Sequence, residues 1–211
     1  MWKNRLPFDP SDPTNRAIMA VAASLFLVMI ILVWASVSNS GKYYAIEKKG
    51  ALQIWKGEFA PLGKKRIATL PGVPLPEPAK AIYCADDLYP LAFAHYMDNA
   101  DALRAVPGIP DFEGIKSSLK SALSFSTTEA MRREAMDRLD TIDRTALTYR
   151  ADEAARQGTI EGFNTAIALL AESAQLTTDK AEKDIINQRI AGHKASIVRL
   201  TAASTETAGA P

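Results

Sequence analysis

His95 and Asp98 stand three residues apart, a spacing that places both on one face of a helix. Two ligands fall short of a structural zinc site, which takes four. His95 is therefore expected to be a partly buried helical residue, and His193, the other histidine, reads the same way. Asp86 and Asp87 form an acidic pair, but neighbours on a helix do not face each other, so they do not share a proton. Their expected work is at a helix N-terminus, where the dipole favours negative charge. Cys84 is the one cysteine and has no basic residue nearer in sequence than Lys80. A reactive thiolate needs such a neighbour, so Cys84 is expected to be a small buried hydrophobe.

Gly57-Glu-Phe-Ala-Pro-Leu-Gly63-Lys64 has a passing likeness to a phosphate loop. A phosphate loop wraps anions in backbone N–H groups, with four residues between its glycines and a hydroxyl after its lysine. Here five residues intervene, Pro61 lacks an N–H, and Lys65 stands at the hydroxyl position, so the segment reads as a turn between strands. No catalytic, metal or cofactor-binding residue is assigned. An enzyme assembled from distant residues is the least favoured class, because few nucleophile–base pairs are on offer. The residues assigned to interaction are Trp55, Phe59, Lys64, Lys65 and Arg66. Trp55 and Phe59 are expected first as packing anchors of a small β-module and second as contacts for a partner, since interfaces are enriched in aromatics.

The elements that must position these residues follow from hydrophobic pattern. Ala17–Val37 is twenty-one residues without a charge, in a predicted membrane helix over 17–38. About 20 apolar residues at roughly 1.5 Å rise span a bilayer core, and only a helix satisfies its own backbone there. A cleaved signal peptide and a buried core helix are the competing readings. The first has a shorter apolar region, and the second shows a polar stripe that is missing here. Residues 1–16 hold three prolines and read as an irregular tail.

Residues 42–70 are expected to form a small basic β-module. YYAIE and ALQIW flank Lys48-Lys49-Gly50, the pattern of a hairpin, with RIATL as a third strand. Tyr44 and Ile46 share one face, as do Leu52 and Ile54. Residues 71–84 form a Pro-rich connector and 85–202 a helical domain of four or five helices. Residues 203–211 are a small, polar tail expected to fray. In the helical domain, Ser126-x-x-Glu129 predicts a capping box before a stripe of Met131, Ala135, Leu139, Ile142, Ala146 and Tyr149. Gly158 stops that helix and Thr159 starts the next. Asp137, Asp140 and Asp143 interleave with Arg133, Arg138 and Arg144, which predicts ion pairs within one exposed helix face. The fold class is thus mainly α: one N-terminal transmembrane helix, a juxtamembrane β-hairpin module, then a helical-hairpin bundle.

Phe163, Ala166, Ile167, Leu170 and Ala174, with Gly158 in the preceding turn, resemble the second helix of a tetratricopeptide repeat over about residues 151–178. The first-helix W-L-G pattern is missing, Thr178 stands at the closing proline, and no second repeat follows. The resemblance implies helical-hairpin packing and binding of peptides or partner proteins.

The charge balance is 25 basic to 24 acidic residues, which excludes the strongly basic footprint of a nucleic-acid binder. One cysteine excludes a disulfide framework. Residues 42–66 nonetheless hold seven Lys or Arg against two Glu, a net of +5. Attraction to anionic head groups and protection of a strand edge ask for the same residues there. The expected partners are the lipid bilayer and other subunits of a membrane complex, with a homo-oligomer also open. The expected function is a membrane-anchored scaffold or accessory subunit. The alternative is a membrane-tethered ligand-sensing or envelope-binding module. The expected location is a bacterial inner membrane, with the C-terminal domain outside the cytoplasm.

Overall fold

The computed structural model describes residues 13–60 and 62–208. Its elements run α1 (Pro13–Ser40), β1 (Tyr43–Lys48), β2 (Ala51–Gly57), β3 (Lys64–Pro71), α2 (Ala85–Ala105), α3 (Phe112–Ser124), α4 (Glu129–Arg156), α5 (Ile160–Gln175) and α6 (Lys180–Ala208). The fold is mainly α, with one long apolar N-terminal helix, a small antiparallel sheet and a helical bundle, as the pattern predicts. The chain divides into two units, one ending at Leu91 and one starting at Ala92.

In the first unit, α1 starts at Pro13, four residues before the charge-free run. Proline is tolerated at the first helical position because its missing N–H has no intrahelical partner anyway. The predicted irregular tail otherwise falls on residues 1–12, outside the described residues. The apolar side chains of α1 are exposed around its circumference, from Ile18 at 56% to Trp34 at 73%. Its buried residues are Ser36 and Asn39, three apart and so on one face.

β1, β2 and β3 make one sheet in that order. Lys48 pairs with Ala51, so Lys49 and Gly50 form a two-residue turn, with φ of 56° and 70°. Two positive φ angles in succession define the type I′ turn, whose twist matches the strands it joins. Leu52 lies opposite Leu70, and Ile54 opposite Ala68. These four are buried and form the apolar face of the sheet. A register shift between Ile54 and Trp55 leaves Ile67 as the extra residue of a bulge. The Pro-rich connector ends by returning to the sheet. Tyr83 exchanges both backbone hydrogen bonds with Tyr43 (3.1 and 2.9 Å) and is itself buried. The start of α2 is tied to β1 where the Tyr43 and Tyr89 hydroxyls meet at 3.0 Å. Burial of the Tyr89 phenol, with that hydrogen bond, pushes its pKa up to about 12.

In the second unit the main packing partners follow chain order: α3 on α4, α4 on α5, α5 on α6. α4 is capped by Thr128, which accepts from the Met131 amide, and not by Ser126. Ser126 instead donates to the Leu123 carbonyl and closes α3. The connection is so short that one hydroxyl serves each helix. Ala135 and Ile142 are buried as the stripe predicts, but the second half of α4 buries Leu147, Ala151 and Ala154. Ala151 and Ala154 join Ala166, Leu170 and Ile186 in one cluster. The stripe therefore turns along the helix, because α4 packs on α3 and also on α5. Gly158, with φ of 65°, ends α4, and Thr159 caps α5 by accepting from the Gly162 amide, both as predicted. α6 continues through most of the tail expected to fray, and residues 209–211 lie outside the described residues.

Candidate functional site

The β-module places Tyr44, Trp55, Lys64 and Arg66 on the face opposite Leu52 and Ile54. Trp55 pairs across the strands with Tyr44 on one side and Arg66 on the other. Above its ring stand the Lys64 ammonium at 5.7 Å and the Arg66 guanidinium at 5.9 Å, and Lys64 also lies 5.4 Å over Tyr44. These are cation–π distances. The structure thus brings together Trp55, Lys64 and Arg66 of the five predicted interaction residues. Lys65 is set apart and pairs with Lys56 of β2.

Phe59 corrects an expectation. It is 67% exposed and packs no hairpin face, because the apolar face is filled by Leu52, Ile54, Ala68 and Leu70. It sits on the β2–β3 connection, where Leu62 is 94% exposed. That connection is held by α1. The Asn39 amide nitrogen donates toward the carbonyls of Glu58 (3.2 Å), Ala60 (2.8 Å) and Gly63 (2.8 Å). Asparagine at the end of an apolar helix gave no hint of this role, since its partners lie about twenty residues on. Pro61, which counted against a phosphate loop, lies outside the described residues.

Cys84 is a second correction: it is exposed. It occupies the position before α2, where its N–H and its Sγ both donate to Asp87 (2.9 and 3.1 Å). Lys80 donates to the same carboxylate at 2.8 Å. The Lys80 ammonium, then the two Cys84 donors, hold the Asp87 pKa down to about 2. Asp87 thus works at the helix N-terminus, and its partners are a cap and a connector lysine.

In the second unit the charged residues of α4 pair both along the helix, as Arg132 with Glu129 and Arg156 with Glu153, and with other helices. Arg138 reaches Asp101 of α2 at 2.7 Å as well as Glu134. Asp143 takes Lys116 of α3 at 2.6 Å, and Arg144 takes Glu182 of α6 at 3.3 Å. Asp152 pairs with Arg189 of α6. The Asp143 carboxylate raises the Lys116 pKa and holds its charge in place. A cleft of about 560 Å³ opens beside that pair, lined by Phe112, Lys116, Asp143, Arg150, Glu172 and Leu176 among others. Sequence reasoning missed it because its walls come from α3, α4 and α5. His95 lies edge-on to Tyr96 and His193 against Phe163, each with ring centroids 5.5 Å apart. Among the described residues no three His, Cys, Asp or Glu side chains converge on a metal position.

Compared with family models, with curated proteins and with solved structures, the chain matches none.

Proposed function

We propose that the chain is a single-pass, membrane-anchored scaffold or accessory subunit of a membrane protein complex, acting through protein–protein contacts. The observation that carries this is α1, a helix of 28 residues long and apolar enough to cross a membrane, with none of its apolar window buried in the fold. Exposed apolar surface on that scale marks a lipid or protein environment. A retained anchor fits better than a cleaved signal, because the last turn of α1 is built into the β-module. Asn39 is buried, its carbonyl accepts from the Lys42 amide, and its side chain holds the β2–β3 connection. The helical hairpins of the second unit supply partner-binding surface, in line with the tetratricopeptide resemblance around Phe163 and Leu170. The membrane assigned is a bacterial inner membrane, with the C-terminal domain outside the cytoplasm.

The test is purification of a C-terminally tagged protein from native membranes in mild detergent, with mass spectrometry of what accompanies it. A reproducible stoichiometric set of membrane proteins is expected. A solo species, where known complexes survive the same preparation, would overturn the reading. Alkaline phosphatase and green fluorescent protein fusions at the C-terminus report the side of the membrane.

The cleft beside Lys116 and Asp143 favours a second reading, a membrane-tethered ligand-sensing or envelope-binding module. Its volume is in the range of small-molecule sites, and charged groups of both signs converge on it. Ligand-dependent thermal shifts of the solubilised chain, abolished by Lys116→Ala, would select this reading over the first.

A further inference from the structure

We infer that Phe59 and Leu62 form a second membrane contact, entering the lipid interface beside the end of α1, with Lys64, Lys65 and Arg66 set against anionic head groups. The inference rests on the reading of α1 as a membrane span and holds for either orientation of the chain.

Position is the first argument. Asn39 lies two residues beyond Val37, the end of the charge-free run, so roughly 3 Å of helix axis separates them. The Asn39 side chain holds the carbonyls of Glu58, Ala60 and Gly63 within 3.2 Å. The connection carrying Phe59 and Leu62 is therefore at the level of the bilayer boundary. The Lys49–Gly50 turn is at the far end of the same strands.

Fixation is the second. The Gly57 amide donates to the Lys42 carbonyl at 2.9 Å, and Glu58 to Gly63 at 2.9 Å. Phe59 and Leu62 are thus presented from a fastened backbone, yet both side chains face outward, at 67% and 94% exposure. Apolar side chains held against a membrane surface bind by burial in the interface, strengthened by neighbouring basic residues on anionic lipid.

Charge is the third. Of the seven basic residues in 42–66, Lys42, Lys56, Lys64, Lys65 and Arg66 lie at the strand ends next to α1. Lys56 and Lys65 are direct ladder partners, an arrangement of like charges that is unfavourable unless an anion joins them. Edge protection accounts for lysines on β3. Lys56, on the central strand, stands 5.7 Å over the Tyr43 ring. Neither edge protection nor that contact accounts for the exposed apolar pair beside these cations, and an anionic bilayer surface accounts for the pair and the cations together.

The experiment uses the full chain carrying Cys84→Ser, with single nitroxide labels after Val28→Cys, Lys48→Cys, Phe59→Cys or Leu62→Cys. The proteins are reconstituted in phosphatidylcholine vesicles with and without phosphatidylglycerol. Power saturation against oxygen and a water-soluble nickel chelate reads depth. The label at 28 is expected deep in lipid and the label at 48 in water. Those at 59 and 62 are expected to lose several-fold of their nickel access, more so with phosphatidylglycerol. Neutralising Lys64, Lys65 and Arg66 to Gln should remove the phosphatidylglycerol increment. A deep label at 28 with nickel access at 59 and 62 equal to that at 48 would overturn this inference and leave the span standing. A label at 28 outside lipid would overturn both. Loss of both nickel and oxygen access at 59 and 62 would assign the surface to a second copy of the chain and overturn the lipid contact.

Discussion

The backbone carbonyl of Asn39 occupies the space a side chain on Gly57 would need: a Cβ there would lie 1.9 Å from that oxygen. The end of α1 and the end of β2 can approach this closely only because residue 57 is glycine. The obstructing atom is backbone and cannot rotate away. Gly57→Ala is expected to cost about 1–3 kcal/mol, the range for overpacking. Hydrogen exchange of the β2 amides in the detergent-solubilised chain reads it. Gly41→Ala, with nothing within 4 Å of its Cβ position, is the control expected to be near neutral.

The two N–H bonds of the Asn39 amide are also shared among three carbonyls of the β2–β3 connection. Asn39→Leu keeps the size and removes the donors. The Glu58 and Gly63 carbonyls keep the Ala60 and Glu58 amides, and the Ala60 carbonyl loses its partner. An unpaired carbonyl of this kind costs about 1–3 kcal/mol. The expected result is faster proteolytic cleavage between β2 and β3, while cleavage in the second unit stays unchanged.

Lys49 holds a left-handed conformation, φ 56°, in which a side chain other than glycine or asparagine is strained. Lys49→Asn restores the Asn-Gly pair that type I′ turns favour. A gain of about 0.5–1 kcal/mol in protection of the β1 and β2 amides is expected, in the range seen when a turn residue suits its backbone. A loss would show that the Lys49 side chain contributes more than its strain.

Leu170 is fully buried among Ala151, Ala154, Ala166 and Ile186, where α4, α5 and α6 meet. The small alanine side chains of this cluster leave little to collapse into the space of a truncated leucine. Leu170→Ala is expected to cost about 2–5 kcal/mol. Met136→Ala, at a side chain 49% exposed, should stay within about 0.5 kcal/mol. Hydrogen exchange of α5 amides separates the two.

Asp87 has a folded pKa of about 2, below its ordinary 3.8, chiefly because Lys80 donates to it. A depressed carboxylate stabilises the fold above its unfolded value, and that contribution is lost as pH falls through the folded value. Fraying at the start of α2 is therefore expected between about pH 4 and 2, not at neutral pH. Carboxyl-carbon NMR titration reads it. Lys80→Met should move the Asp87 midpoint back up toward 3.8.

Local signals in the sequence agree with the structure where one element suffices. α2 runs Ala85–Ala105, Gly158 and Thr159 mark the α4–α5 turn, and Lys48-Lys49-Gly50 marks the hairpin. They misled where a residue had two possible partners. Ser126 satisfied the capping pattern, yet its hydroxyl closes the helix before it. Arg144 and Asp143 matched helical spacing, yet each finds its ion on another helix. Cys84 has apolar neighbours in sequence, yet lies exposed at a helix start that Asp87 and Lys80 define.

By itself the sequence determines that α1 is a long apolar helix, that a short β-module follows, and that the remainder is helical. Those are properties of runs of ten to thirty residues, set by hydrophobic period and turn chemistry. Which face a residue shows to its neighbours was decided only in three dimensions. Phe59 is exposed because Leu52, Ile54, Ala68 and Leu70 already fill the apolar side of the sheet. Asn39 matters because the chain returns past it at Glu58, Ala60 and Gly63. The cleft beside Lys116 and Asp143 exists because three helices separated in sequence leave a gap where they meet. Each of these depends on contacts between distant residues, whose free energies local pattern does not encode.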